Sequence, residues 1–104
     1  MERFCYSFEL LPGTVEEYER EHQEIWVGVE EAMRAAGISN YTLFRRGLVV
    51  TAYGESDKPV NEAFAQLDAD TNNAAWSSHI RRLMRDPVDA HGKLLFAMEM
   101  WRLT

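Results

Sequence analysis

The sequence predicts an α+β fold: a ferredoxin-like antiparallel sheet with helices on one face. Three observations predict it. Residues 3–10 and 38–53 alternate apolar and polar side chains at the period of a strand. Residues 14–37 and 59–85 space their apolar side chains by three and four, the period of a helix. The resulting order is strand, helix, strand, strand, helical region, strand, which is the split βαβ arrangement. A chain of 104 residues has material for one domain, spanning 1–104, and not for two.

In the first strand Phe4, Tyr6, Phe8 and Leu10 point one way and Cys5, Ser7 and Glu9 the other. Pro12-Gly13 ends it. Thr14 precedes Glu17 by the three residues of a capping box, and Gly37 is a suitable helix terminator, so 14–37 is expected as one helix. Its inward stripe is Tyr18, His22, Ile25, Trp26, Val29 and Met33, while Glu16, Glu17, Glu19, Arg20, Glu21 and Glu24 face water. Residues 38–46 and 48–53 form a hairpin that reverses at Gly47. Pro59 opens a short helix with Val60, Phe64 and Leu67 on one face. A second helical stretch, 73–85, carries Trp76, Ile80, Leu83 and Met84 and stops at Asp86-Pro87. Residues 88–92 are a loop and 93–103 a final strand that is apolar on both faces. An apolar sheet face this large is not left in water, so a homodimer is expected.

Composition narrows the function. The formal net charge of −6 opposes phosphate-backbone binding and an anionic membrane surface, so neither nucleic acid nor membrane is an expected partner. Arg45-Arg46 and the cluster Arg81, Arg82, Arg85 read as solvated faces. The lone Cys5 forms no internal disulfide, no apolar run reaches membrane-spanning length, and the first residues lack a signal-peptide pattern, which together lead us to expect a cytoplasmic protein. His22, His79 and His91 are too far apart in sequence for a paired metal site, and the glycines are isolated, which speaks against a phosphate loop; no metal and no cofactor are expected.

Acid–base chemistry at His22 remains. A histidine has an unperturbed pKa of about 6.5, so a small shift makes it an acid or a base at neutral pH. Tyr18 lies one turn away on the same face, and Tyr41 and Trp76 stand on elements the fold can bring alongside. Aromatic rings around a few polar groups suit a sugar. The plainer reading is a hydrogen-bonded core histidine and a core tryptophan.

The stretch Tyr18-Glu19-Arg20-Glu21-His22-Gln23-Glu24-Ile25-Trp26 resembles the Tyr-x-x-x-His-x-x-Ile-Trp signature of the L-rhamnose mutarotase family. Gly37-Ile38-Ser39-Asn40-Tyr41 is similar to that family's Gly-x-x-Asn-Tyr segment, and Trp76 with Asp86-Pro87 to its Trp-Trp helix and following Pro loop. The resemblance runs through nearly the whole chain. It implies a dimeric α+β barrel that interconverts the anomers of a 6-deoxy-sugar without cofactor or metal. His22 matches the catalytic proton donor, and Tyr18, Tyr41 and Trp76 match the sugar-contacting positions. Ser77 stands where the family has a second tryptophan, and the ending 99–104, the Cys5-Tyr6-Ser7 strand and the Arg45-Arg46-Gly47 turn also depart from the family pattern. L-Rhamnose is the leading substrate, with L-fucose or a related aldose next. Two other classes stay open: a dimeric-barrel monooxygenase of the haem-degrading kind, suggested by the Trp76–His79 spacing, and a non-catalytic sugar-binding dimer.

Overall fold

A computed structural model describes residues 1–104. Its centre is strand β1 (Glu2–Leu10), flanked on one edge by β3 (Val49–Ser56) and on the other by the short β4 (Met84–Arg85). Strand β2 (Ile38–Arg46) completes the antiparallel sheet in the order β2-β3-β1-β4. The β1–β3 register runs unbroken from Glu2↔Ser56 to Glu9↔Val49, which sends Phe4, Tyr6, Phe8 and Leu10 to one face together with Val50 and Ala52. Helices α1 (Val15–Gln23), α2 (Val27–Ala35), α3 (Val60–Ala69) and α4 (Thr71–Arg81) supply the residues that bury this face, among them Tyr18, Val29, Phe64, Leu67, Trp76 and Ile80.

The expected single helix over 14–37 is two helices. The chain leaves helical geometry after Gln23 and Trp26 is extended, with ψ 134°. The run Ile25-Trp26-Val27-Gly28 explains the break, since bulky, β-branched and glycine residues are weak helix formers. The break lets α2 settle closely on α4: a Cβ on Gly28 would lie 2.8 Å from Asn72 Nδ2. It also turns Trp26 off the inward stripe, leaving it 39% exposed. Thr14 does not cap α1. Its hydroxyl donates instead to the Leu11 carbonyl at 2.7 Å and to Leu83 at 3.2 Å, tying the helix start to the chain beyond α4. Gly37, at φ 85°, follows α2 as expected.

The second helical stretch begins and ends earlier than its periodicity suggests. Asp70 caps α4 by accepting from the Asn73 backbone N–H at 2.9 Å, and the helix stops at Arg81. Met84 and Arg85 then pair with Leu10 and Glu9 as β4. The expected final strand over 93–103 is extended chain with few sheet contacts. It runs antiparallel to β1 through the Tyr6↔Phe96 bridge, an Ala97 N–H to Cys5 carbonyl bond of 2.7 Å and an Arg3–Glu99 ion pair. It lies along the edge of β1 that β4 already occupies at Glu9 and Leu10.

Two local features shape the interior. Asn40 and Tyr41 together oppose Gly54, a bulge that changes strand parity so that both Ile38 and Tyr41 face inward. Asn40 takes the left-handed conformation there, at φ 51°, and donates to Glu55 at 2.7 Å. Gly54 leaves room for its cross-strand neighbour Phe4, because a Cβ on Gly54 would lie 2.3 Å from Phe4 Cζ. Phe4 in turn packs edge-on against Tyr41, Phe64 and Phe96. Gly54→Ala is therefore expected to lower unfolding stability by about 1–3 kcal/mol through overpacking, read as a lower urea midpoint with an unchanged slope.

Candidate active site

Between the helices and the inner face of the sheet lies a cavity of about 540 Å³. His22, Tyr18, Tyr41, Trp76 and Ser77 all line it, although they come from α1, β2 and α4. Tyr18 and His22 are one turn apart on α1, with ring centroids 4.4 Å apart. Trp76 from α4 meets His22 edge-on at 5.4 Å. Tyr41 reaches the cavity because of the bulge, and Ser77 follows Trp76 at its half-buried edge.

The imidazole is oriented by its own helix. His22 Nδ1 lies 2.9 Å from the Tyr18 carbonyl. A carbonyl only accepts, so Nδ1 carries the proton and neutral His22 presents a bare Nε2 with no protein partner. Burial lowers the His22 pKa from its usual 6.5, opposed in part by the Tyr18 carbonyl and by Glu21. The histidine is thus neutral at pH 7. Burial also raises the Tyr18 phenol, with the nearby Tyr6 adding to the effect, so Tyr18 remains a protonated donor; its hydroxyl makes no bond to the protein.

Among the lining residues that the sequence did not point to are Tyr6, Asn73 and Arg81. The Tyr6 hydroxyl pairs with that of Tyr41, which joins the β1 floor to the cavity wall. The signal was an inward strand position filled by tyrosine, whose hydroxyl must find a partner. Asn73 is buried and faces the cavity from the first turns of α4. Arg81, read above as a solvated charge, lies four residues beyond Ser77 and so on the same helix face, lining the cavity from the last turn. Burial raises the Tyr6 and Tyr41 phenols, and the Arg81 charge partly offsets this in both.

His79 has a different role from the one its spacing suggests. Its Nε2 is 3.0 Å from Glu21 Oε2, its ring stacks on Trp26 at 5.7 Å, and it does not line the cavity. No group of three or more His, Cys, Asp or Glu side chains is gathered for a metal ion.

The sequence profile of L-rhamnose mutarotases matches residues 3–103. The chain belongs to the L-rhamnose mutarotase family. An L-rhamnose mutarotase of Burkholderia ambifaria is 32% identical over 89 residues, covering 86% of each chain. One from Listeria monocytogenes is 35% identical over 71 residues, covering 65% of this chain and 68% of its own. Among solved structures, the L-rhamnose mutarotase of Formosa agariphila superposes with a TM-score of 0.76 at 15% identity, over 100% of both chains. Tetracenomycin F2 cyclase of Streptomyces glaucescens, a type-II polyketide cyclase, follows at 0.70 and 16% identity, over 100% of this chain and 98% of its own. At such identities these superpositions speak for the α+β fold. Membership in the mutarotase family rests on the profile and on the sequence relatives.

A depressed histidine pKa couples to folding with a definite sign. The unfolded chain takes up the His22 proton first, so the stability of the mutarotase fold declines as pH falls below about 6.5, until the folded pKa is passed. Urea midpoints measured from pH 7.5 down to 5 should show this decline, and His22→Phe, which titrates nothing, should show less of it.

Proposed function

We propose that this chain interconverts the α and β anomers of a 6-deoxy-aldose, L-rhamnose first among them, with His22 as the proton-transfer group. The observation that carries the reading is the Nδ1–H bond to the Tyr18 carbonyl, which leaves Nε2 free within an aromatic-lined cavity. Nε2 takes the proton from the anomeric hydroxyl as the bond from C1 to the ring oxygen breaks. The imidazolium then gives that proton to the departing ring oxygen, leaving the open-chain aldehyde and a neutral His22. Both oxygens are bonded to C1, so one imidazole reaches each in turn. After rotation of the aldehyde the two transfers run in reverse and close the ring on the other face.

Tyr18, still protonated, donates to the developing oxyanion in this scheme. Trp76 and Tyr41 supply the faces against which a pyranose stacks, and Ser77 a smaller, polar edge. Mutarotation proceeds slowly in water, so general acid–base help of roughly 10²–10⁴-fold is sufficient, and no cofactor takes part in the scheme.

The functional unit in this reading is a homodimer. Leu95, Phe96, Met98, Met100, Trp101 and Leu103 are all exposed on the extended C-terminal segment, an apolar surface suited to a second copy. A cytoplasmic setting fits the single free thiol of Cys5.

Anomer exchange followed at the anomeric proton by NMR tests the activity. The protein should accelerate exchange of L-rhamnose, and His22→Ala should lose roughly 100-fold or more of that acceleration. If L-fucose exchanges faster, the substrate assignment moves to that sugar. If sugar binds but no aldose exchanges faster, the protein is a binding module. Sedimentation should give twice the chain mass, and Trp101→Asp should shift the population toward monomer.

A further inference from the structure

Among the charged side chains that line the cavity and take no part in the proposed reaction, Arg81 stands out. Of nine arginines, Arg3, Arg34, Arg45, Arg82 and Arg85 are each paired with a carboxylate, and the unpaired Arg20, Arg46 and Arg102 are exposed to water. Arg81 is neither: half-buried against the cavity, it makes no ion pair within 4.0 Å and no hydrogen bond to the protein. Asp68 lines the same cavity but stays beyond that distance and is exposed to water. A guanidinium has five N–H donors in a planar fork that matches a carboxylate. Leaving all five without protein partners at the wall of a binding cavity is costly unless water or a ligand accepts them.

The position of Arg81 limits what that ligand is. Arg81 lines the cavity together with Tyr6 and Tyr41, and its charge acts on both of their hydroxyls. One hydroxyl proton joins Tyr6 to Tyr41, and the other is left to be donated outward. Arg81 also borders an adjoining cavity of about 460 Å³. At the last residue of α4 its positive charge is further favoured by the helix dipole. This part of the cavity wall is therefore a cluster of donors around a positive charge, poorly matched to a methyl group.

We propose that Arg81 and the Tyr6–Tyr41 hydroxyl pair form a carboxylate-binding subsite, and that the substrates of this chain include a hexuronate, an aldose bearing a carboxylate where a 6-deoxy-sugar bears a methyl. The inference rests on the anomer-exchange reading above and extends it to a second substrate class. The chemistry at C1 is the same. The carboxylate takes the guanidinium fork and the free phenolic proton, which fixes the sugar with its anomeric end toward His22.

Anomer-exchange NMR with L-rhamnose, D-galacturonate and D-glucuronate tests it, in the unaltered protein, Arg81→Met and Arg81→Lys. The unaltered protein should accelerate exchange of at least one uronate. The ratio of uronate to rhamnose kcat/KM should fall at least about tenfold in Arg81→Met, chiefly through KM, with partial recovery in Arg81→Lys. Acceleration of L-rhamnose but of neither uronate overturns the subsite and leaves the anomer-exchange reading intact. A ratio unchanged in Arg81→Met also overturns it, since Arg81 then supports the cavity without reading charge. Acceleration of none of the three sugars defeats both readings together.

Discussion

The alternation along β1 is the constraint on which the rest of the molecule depends. Phe4, Tyr6, Phe8 and Leu10 form the floor on which all four helices assemble, and the unbroken pairing with β3 fixes which side that floor faces. A slip of one residue would turn Cys5, Ser7 and Glu9 inward and leave no apolar surface for the helices. The same strand then serves the site. Tyr6 anchors Tyr41 through its hydroxyl, Phe8 packs on Tyr18 with ring centroids 6.0 Å apart, and Tyr18 supports His22. Core and site are one continuous set of aromatic contacts, so the histidine is positioned by packing as much as by its hydrogen bond.

This continuity accounts for the state of His22. The walls that hold the ring also remove water from it, and they lower its pKa more than the Tyr18 carbonyl and Glu21 raise it. A histidine at the surface of the same helix would keep its ordinary pKa and swing freely. Here the ring is fixed in one tautomer, with the nitrogen that must exchange protons left unengaged. A preformed tautomer avoids reorganisation at the moment of transfer.

Much of this was legible in the sequence because it rests on short-range patterns. The period of β1, the Tyr18–His22 spacing and the turn at Gly47 are local, and each stands where expected. What escaped depends on contacts between distant segments. The break between α1 and α2 follows weak helix formers but is matched by the close approach of Gly28 to Asn72 on α4. The cap expected of Thr14 gives way to a bond with Leu83, 69 residues away. Met84 reads as the end of a helix and becomes a strand because Leu10 offers it a free edge. Arg81 reads as surface charge, and only the fold shows that its face of α4 is the one with Ser77 and Trp76.

The proposed reaction depends on a neutral His22, with its proton on Nδ1 and Nε2 ready to act as a base. Nitrogen-15 shifts of the His22 ring, recorded at pH 7 and titrated downward alongside kcat/KM for L-rhamnose, test it most directly. A protonated Nδ1 and an unprotonated Nε2 are expected at pH 7, with ring protonation and the acid-side loss of activity sharing one midpoint below 6.5. An imidazolium at pH 7, the opposite tautomer, or activity that persists through the ring's titration would contradict it.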